Sequence, residues 1–414
     1  MVSKYITLLG ISFVSNFIVA TTIFSIPLDE CSYYGAYLLM FLYVLSNKFR
    51  LNIVLDKKYY VVAILFYLPI VLSTFGVLIN SFLIDDINYS FKILVNGLPR
   101  LFNYFLMLIL LFSSAAMGNN IRIKSLKWFY ISLLVFLLFG IWQFLHFYFD
   151  IPIIFFETRD MAHSVVGVAP THRVTSIARE PSFFSPLLAE LFILSFFLRD
   201  IGWSKLCIAI IRFLVLFVAV FTLSPSTYLE FLFIFLVLLF RNKINFLSIL
   251  AVCFIVIVTV VFFRYFEEFI LYRFVTVSDS TRFLQIETIF KTMFDMNVFS
   301  LLFGIGPKGL SFISQITQID GTGAGIHSST NNIFADLFVD NGLFGFLSLL
   351  ALFGYLYRKA FAIKLSNLPS LLFVHIFVCC QYRGNYSSIR FIMLINILFI
   401  LIDYYDKKIK KCNE

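Results

Sequence analysis

The sequence predicts an all-α integral membrane protein with about twelve transmembrane helices. Its 414 residues are 61% hydrophobic and only 13% charged, whereas roughly a quarter of the residues in a soluble domain are charged. The apolar residues stand in long runs, such as 60–84 and 244–263, rather than in amphipathic stripes. A transmembrane β-barrel would instead show strands of about ten residues with alternating polarity.

Apolar runs of about 17 to 25 residues, long enough to cross a bilayer as a helix, define the predicted spans. No small-residue cleavage pattern follows the first run, so we expect an uncleaved first helix rather than a removed signal. The predicted helices lie near residues 5–26, 33–47, 59–84, 98–118, 126–149, 183–198, 205–223, 227–240, 244–264, 331–357, 367–382 and 388–404.

The orientation follows from Lys and Arg, which collect in short cytoplasmic connections. With the amino terminus inside, every predicted cytoplasmic connection contains Lys or Arg, and the carboxyl terminus is also inside. The predicted parts are helices one to five (1–149), a first long outer loop (150–182), helices six to nine (183–264), a second long outer loop (265–330), and helices ten to twelve with a cytoplasmic tail (331–414).

Charge and cysteine usage exclude several classes of function. The net charge of +9 is spread over short connections instead of forming a basic patch, so no nucleic-acid partner is predicted. The six cysteines lie mostly inside apolar runs, with no CxxC pair and none in the long outer loops. We therefore predict no disulfide framework, no metal site and no cofactor.

Basic residues in the two outer loops run against the positive-inside bias, which should deplete them there. The bias weakens in long loops, so scattered surface charges are one interpretation. The other interpretation is an anion-binding site on the outer face. The residues concerned are Arg159, Arg173, Arg179, Arg273, Arg282, Lys291 and Lys308.

Segment 173–185 carries two of these arginines, followed by Glu180, Pro181 and Ser182. Proline suits the first turn of a helix, where its missing N–H is not needed, so Pro181 should open the sixth span with Glu180 at its N-cap. Glu180 then has two interpretations. It caps the helix and pairs with Arg179, or it is a functional carboxylate beside arginine donors at the mouth of the bundle.

The second outer loop contains a glycine-rich segment at 304–309 and, just before the tenth helix, His327; Asn332 follows at the start of that helix. The segment lacks the spacing and the terminal Lys-Ser/Thr of a phosphate loop, so its glycines are predicted to make turns. A lone loop histidine is usually only solvated. The positive end of the following helix would favour a neutral imidazole at His327.

Between these segments, apolar residues recur at helical spacing after Asp279 and Ser280, either of which would cap a helix. The pattern predicts a short amphipathic helix with Arg282 in its first turn. That helix lies on the outer membrane interface or packs against the bundle.

Four acidic residues fall inside predicted spans, where polar groups are costly unless they face the bundle interior or a cavity. No string of acids runs from one face of the membrane to the other, which counts against a transporter. The four residues are Glu190, Glu230, Asp336 and Asp340.

Two stretches together resemble the O-antigen polymerase and O-antigen ligase superfamily of polytopic membrane glycosyltransferases. The first stretch is the run from Arg173 to Ser182, with its Arg-Glu-Pro-Ser end, which enters a mid-chain helix. The second stretch begins with Gly-Ile-Gly-Pro at 304–307, continues through His327 and Asn332, and ends with Asp-Asn-Gly-Leu-Phe-Gly at 340–345. The Arg-x15-Gly repeats of some members are absent, because Ala and Val stand sixteen residues after the first arginine and after Arg282.

The resemblance implies a GT-C-like, metal-independent glycosyltransferase in the bacterial inner membrane whose active site faces the periplasm. It would transfer a growing glycan from undecaprenyl pyrophosphate to the non-reducing end of an incoming lipid-linked repeat unit, in lipopolysaccharide biosynthesis. Expected partners are that lipid-linked oligosaccharide, membrane lipid and a chain-length regulator. The implied catalytic residues are Glu180, His327 and Arg282, and the implied pyrophosphate or glycan ligands are Arg173, Arg179, Arg273 and Asn332.

Two other functions stay open at this stage. An O-antigen ligase would pass the finished glycan to lipid A core, and the Glu-Pro-Ser segment favours the polymerase over it. A lipid-linked oligosaccharide flippase or other transporter would require polar residues through the full membrane depth and internal inverted repeats. Neither feature is visible in the sequence.

Overall fold

The computed structural model describes residues 2–19, 22–23, 26–46, 57–83, 89–154, 156–157, 172–241, 281–310, 330, 332–382 and 388–413. Within these ranges the regular secondary structure is helical, apart from one small antiparallel sheet of three two-residue strands in the order β2-β1-β3. The strands are β1 (Thr22–Ile23), β2 (Ile26–Pro27) and β3 (Phe156–Glu157).

Thirteen α-helices lie in the described part of the chain. They are α1 (Val2–Val14), α2 (Leu28–Ser46), α3 (Lys57–Asn80), α4 (Tyr89–Ala115), α5 (Asn119–Phe149), α6 (Pro181–Leu198), α7 (Lys205–Phe221), α8 (Pro225–Arg241), α9 (Thr281–Asp295), α10 (Val298–Phe303), α11 (Ile333–Ala362), α12 (Leu368–Tyr382) and α13 (Ile389–Asn413). The all-helical class is confirmed. The ninth predicted span, 244–264, lies outside the described residues.

Five helical segments are long and apolar enough to cross a membrane: Lys57–Asn80, Gly97–Ala115, Asn119–Phe149, Pro181–Leu198 and Ile333–Ala362. Three shorter apolar segments, among them Pro225–Leu239 and Leu368–Tyr382, fall below that length. The total of about twelve spans and the GT-C-like arrangement stay predictions.

The first predicted span, 5–26, is wrong in length, because α1 ends at Val14. The side chain of Asn16 explains the break. Its amide donates to the carbonyl of Phe129 (3.3 Å) and to the hydroxyl of Ser132 (2.8 Å), and its oxygen accepts from Arg390 Nε (3.2 Å). Because these contacts hold Asn16 against α5 and α13, the chain leaves the helix and continues through a 3-10 turn, Phe17–Val19.

Helix α6 lies at the centre of the bundle. Inside the protein, 83% of its apolar window is buried, against 44% for α3 and α5, as expected of a helix that is hydrophobic on all sides. Close packing with α5 depends on Gly140, where an added Cβ would lie 2.9 Å from the ring of Phe184. The 173–185 segment therefore leads into the central helix of the bundle.

One end of the bundle gathers charged residues from segments predicted to be cytoplasmic. Asp403 near the end of α13 pairs with Lys58 and with Arg122 Nη1 (2.7 Å). Asp200, just after α6, pairs with Lys408 (3.0 Å). These contacts place the starts of α3 and α5 and the ends of α6 and α13 together, as the predicted alternation requires. Which side of the membrane this end faces stays a prediction.

Helix α11 is broken at Gly342, whose φ of 63° and ψ of −160° are not helical. The break frees carbonyl groups that the glycine-rich segment uses: the carbonyl of Val339 accepts from Ile305 N (2.8 Å), and that of Asp340 accepts from Gly306 N (3.1 Å). Irregular backbone of this kind is tolerated at membrane depth where protein buries it. Gly304 and Gly306 both have positive φ, so the prediction that these glycines make turns is confirmed.

Candidate functional site

The loop that precedes α6 is an irregular segment buried inside the bundle. Residues 173–178 are all buried. Gln143 of α5 holds this loop with its side-chain oxygen, which accepts from the backbone N–H groups of Thr175 (2.7 Å) and Ser176 (2.8 Å). The hydroxyl of Ser176 donates to the carbonyl of Phe136 (2.6 Å). The loop is thus fixed to α5, and its two ends carry the predicted site residues.

Arg173 stands at the first end of this loop and is only 6% exposed. Its Nε donates to the carbonyl of Thr222 (3.4 Å), and the next residue, Val174, donates its N–H to the carbonyl of Phe221 (2.9 Å). These contacts hold the guanidinium at the end of α7. Arg179 stands at the other end of the loop and is exposed, so one arginine of the loop is buried and the other is exposed.

Glu180 occupies the N-cap position of α6, and Pro181 is the first helical residue, as predicted. The backbone of Glu180 is extended, and its side chain makes no hydrogen bond to the first-turn amides. Its Oε1 accepts from the hydroxyl of Ser182 (2.8 Å) instead. The carboxylate therefore stands at the helix entrance without capping the helix, which weakens the interpretation of Glu180 as a cap alone.

Hydroxyl groups line the space between the start of α6, the end of α7 and the start of α8. Ser185 Oγ contacts Ser226 Oγ (3.1 Å) and is hydrogen-bonded to Thr227. Thr227 in turn contacts the hydroxyl of Thr222 (2.9 Å), the residue whose carbonyl binds Arg173. Hydrogen-bonded hydroxyl groups thus connect Thr222, whose carbonyl binds Arg173, to α8 and α6.

A second, fully buried cluster lies further along the same helices. Glu190 of α6 and Glu230 of α8 are 0% and 1% exposed, so their predicted interior position is confirmed. His375 of α12 bridges them, with Nε2 2.9 Å from Glu190 Oε1 and Nδ1 3.1 Å from Glu230 Oε2. Arg390 of α13 pairs with Glu190. The cluster connects four helices.

Cys379 and Tyr382 complete this buried cluster. Cys379 Sγ lies 3.0 Å from Glu230 Oε1, and the hydroxyl of Tyr382 donates to the same oxygen. Sequence reasoning found the two acids but missed His375, Cys379, Tyr382 and Arg390. The available signal was a His and a Cys four residues apart in an apolar helix, which places them on one face.

Asp336 and Asp340, the two acids predicted inside the tenth span, accept hydrogen bonds from neighbouring loop residues. Both are buried, as predicted. Asp336 Oδ1 accepts from the N–H (2.8 Å) and the hydroxyl (2.7 Å) of Thr330. Asp340 Oδ1 accepts from the N–H of Gly309 (2.9 Å). The two carboxylates hold the loop segments on either side of 311–329 against α11.

The remaining predicted site residues stand apart from the loop before α6 or outside the described residues. Asn332 is the N-cap of α11: its oxygen accepts from Phe334 N (2.9 Å), and its amide donates to the carbonyl of Gln381 (3.2 Å). Arg282 is in the first turn of α9, as predicted. Arg273 and His327 lie outside the described residues.

Helix α9 packs against the bundle, which was one of its two predicted placements. Ile289 and Met293 are buried, and the ring of Phe290 stacks on that of Phe338 in α11 at 4.8 Å between centroids. Arg282 therefore lies on a helix that packs against α11 before the break at Gly342.

Comparison with known proteins identifies one family. Residues 210–350, about a third of the chain, match the family model described as O-antigen ligase. The matched stretch includes α8, the glycine-rich segment and the break in α11, and it confirms the resemblance to the O-antigen ligase and polymerase superfamily. No curated protein matches the chain.

Proposed function

We propose that this chain, of which residues 210–350 match the family model described as O-antigen ligase, is a polymerase of the O-antigen ligase and polymerase superfamily. It transfers a growing glycan from undecaprenyl pyrophosphate to the non-reducing end of an incoming lipid-linked repeat unit. It works in the bacterial inner membrane with its active site facing the periplasm, and its partners are the lipid-linked oligosaccharide, membrane lipid and a chain-length regulator.

The observation that carries this proposal is the buried loop with Arg173 at one end and Arg179 and Glu180 at the other. A pyrophosphate leaving group gains negative charge as the anomeric bond breaks, and guanidinium groups stabilise such charge through paired hydrogen bonds. A loop fixed by Gln143 orients those donors before the substrate arrives. The arginines serve the phosphates in place of a metal ion.

In the proposed reaction, the acceptor hydroxyl oxygen attacks the anomeric carbon of the growing glycan. The bond from that carbon to the pyrophosphate oxygen breaks, and its electron pair leaves on the pyrophosphate. Glu180 orients the acceptor hydroxyl and takes its proton, a role suited to a carboxylate that stands at the entrance of α6 next to Arg179. His327 is the second base or a phosphate partner.

Residues of the second long connection complete the proposed site. Arg282 and Arg273 add positive charge for the pyrophosphate, and Asn332 contributes to glycan binding. The cap made by Asn332 uses its oxygen for two backbone amides, so its contribution would come from its amide group or through the fixed start of α11.

The ligase is the second candidate, because the matching family model is described as O-antigen ligase. The two functions differ in the acceptor, which is a lipid-linked repeat unit for the polymerase and lipid A core for the ligase. Gel analysis of lipopolysaccharide from a deletion strain separates them. We expect core carrying a single repeat unit, whereas bare core would identify the ligase.

A further inference from the structure

Three side chains of the types that bind transition metals meet between α8 and α12. They are Glu230, His375 and Cys379, and all three are buried. Cys379 Sγ lies 3.0 Å from Glu230 Oε1, His375 Nδ1 lies 3.1 Å from Glu230 Oε2, and Sγ lies 3.8 Å from Nδ1. With one donor atom taken from each residue, the three atoms lie within 4.8 Å of one another and form a triangle, in which the two shortest contacts use different oxygens of Glu230.

We propose that this triangle is one face of a Zn²⁺ site. Zinc bonds of about 2.3 Å to sulfur and about 2.0–2.2 Å to nitrogen or oxygen, at tetrahedral angles, separate ligand atoms by about 3.3–3.6 Å. The contacts of 3.0 and 3.1 Å are shorter than these separations and the contact of 3.8 Å is longer, so zinc binding requires small shifts of the three side chains. Tyr382 closes a fourth side, with its hydroxyl 3.9 Å from Cys379 Sγ and hydrogen-bonded to Glu230.

The surroundings of His375 match those of a zinc-bound imidazole. When one ring nitrogen binds the metal, the other carries the proton and typically donates it to a carboxylate. His375 Nδ1 is 3.1 Å from Glu230 Oε2, and Nε2 is 2.9 Å from Glu190 Oε1, while Cys379 Sγ lies at similar distances from the two nitrogens, 3.8 Å and 3.6 Å. Arg390 pairs with that same carboxylate, so Glu190 is held where it orients the ring.

A bound dication is compatible with the charges of this cluster. Zinc binds cysteine as the thiolate, so Cys379, Glu230 and Glu190 would carry three negative charges. The metal and Arg390 carry three positive charges, and an unbalanced charge buried in a membrane bundle would be costly. The site is enclosed and apart from the loop before α6. The zinc ion would therefore tie α8 to α12, and through Glu190 to α6 and α13, independently of the proposed function.

The test is the metal content of full-length protein purified in detergent, measured by inductively coupled plasma mass spectrometry. Wild-type protein should contain about one zinc ion per chain, and Cys379→Ser and His375→Gln should lose it. Cys380→Ser is the matched control, because Cys380 is equally buried next door and is not part of the triangle. Glu190→Gln should bind zinc about 10- to 100-fold more weakly.

A second readout keeps the proposal testable if the ligand variants fail to fold. Wild-type protein and Cys380→Ser loaded with Co²⁺ should both show a thiolate-to-cobalt absorption band, a result that does not depend on the ligand variants. Wild-type protein without stoichiometric metal would overturn the proposal and leave the cluster held by a shared proton. Equal metal content in wild type and Cys379→Ser, or cobalt-loaded wild type without the thiolate band, would overturn it as well.

Discussion

Gly342 and Gly304 pack backbone against backbone: a Cβ added to Gly342 would lie 2.5 Å from the amide nitrogen of Gly304. This contact joins the two glycine-bearing parts of the second family-like stretch. It shows that the break in α11 and the turn at 304–309 form one structural unit. Part of that stretch is therefore needed for folding rather than for chemistry.

Gly342→Ala should destabilise the protein by roughly 2–6 kcal/mol, since backbone strain and overpacking each cost about 1–3 kcal/mol. Gly354→Ala in the same helix is the matched control, because nothing lies within 4 Å of its added Cβ. It should be neutral or stabilising by up to about 1 kcal/mol. Thermal unfolding in detergent measures both. Equal unfolding temperatures for the two variants would refute the packing account.

Arg179→Lys and Arg282→Lys keep the positive charge but lose the planar fork of the guanidinium. If the arginines bind pyrophosphate through paired hydrogen bonds, both variants should lose long-chain polymer at a normal protein level. Arg358→Lys is the control, because Arg358 is exposed on α11 in a segment predicted to be cytoplasmic. Lipopolysaccharide gels give the readout, and full activity of Arg282→Ala would remove Arg282 from the site.

The predicted orientation places Thr171 and Gly321 outside and Asn120 inside. In a background with Cys31 and Cys207, the exposed cysteines of the described residues, and also Cys253 and Cys412 changed to serine, cysteines at the first two positions should react with an impermeant maleimide in intact spheroplasts. A cysteine at Asn120 should react only after lysis. The opposite labelling pattern would reverse the topology and place the proposed site on the wrong face.

Much of the helical framework could be predicted because an apolar run specifies both a helix and its lipid-facing surface. The predicted length of the first span was wrong because hydropathy contains no information about the hydrogen bonds that Asn16 makes with α5 and α13. The burial of Glu190 and Glu230 was predictable, since acids inside apolar runs must face protein. Their contacts with His375 could not be predicted. His375 is 185 positions from Glu190 and 145 positions from Glu230 in the sequence, so these contacts depend on how the helices pack.

The proposed reaction depends on Glu180 as the base for the acceptor hydroxyl, and Glu180→Gln tests that role. The measurement is the in vitro elongation rate with purified lipid-linked repeat unit and purified full-length enzyme. The control is Glu287→Gln, which changes an exposed carboxylate that pairs with Lys291 one turn further along α9 and should keep the wild-type rate. Glu180→Gln should fold normally and elongate roughly 100-fold or more slowly, the usual scale for a positioned general base. Elongation at a near wild-type rate would contradict it and transfer the search for a base to His327.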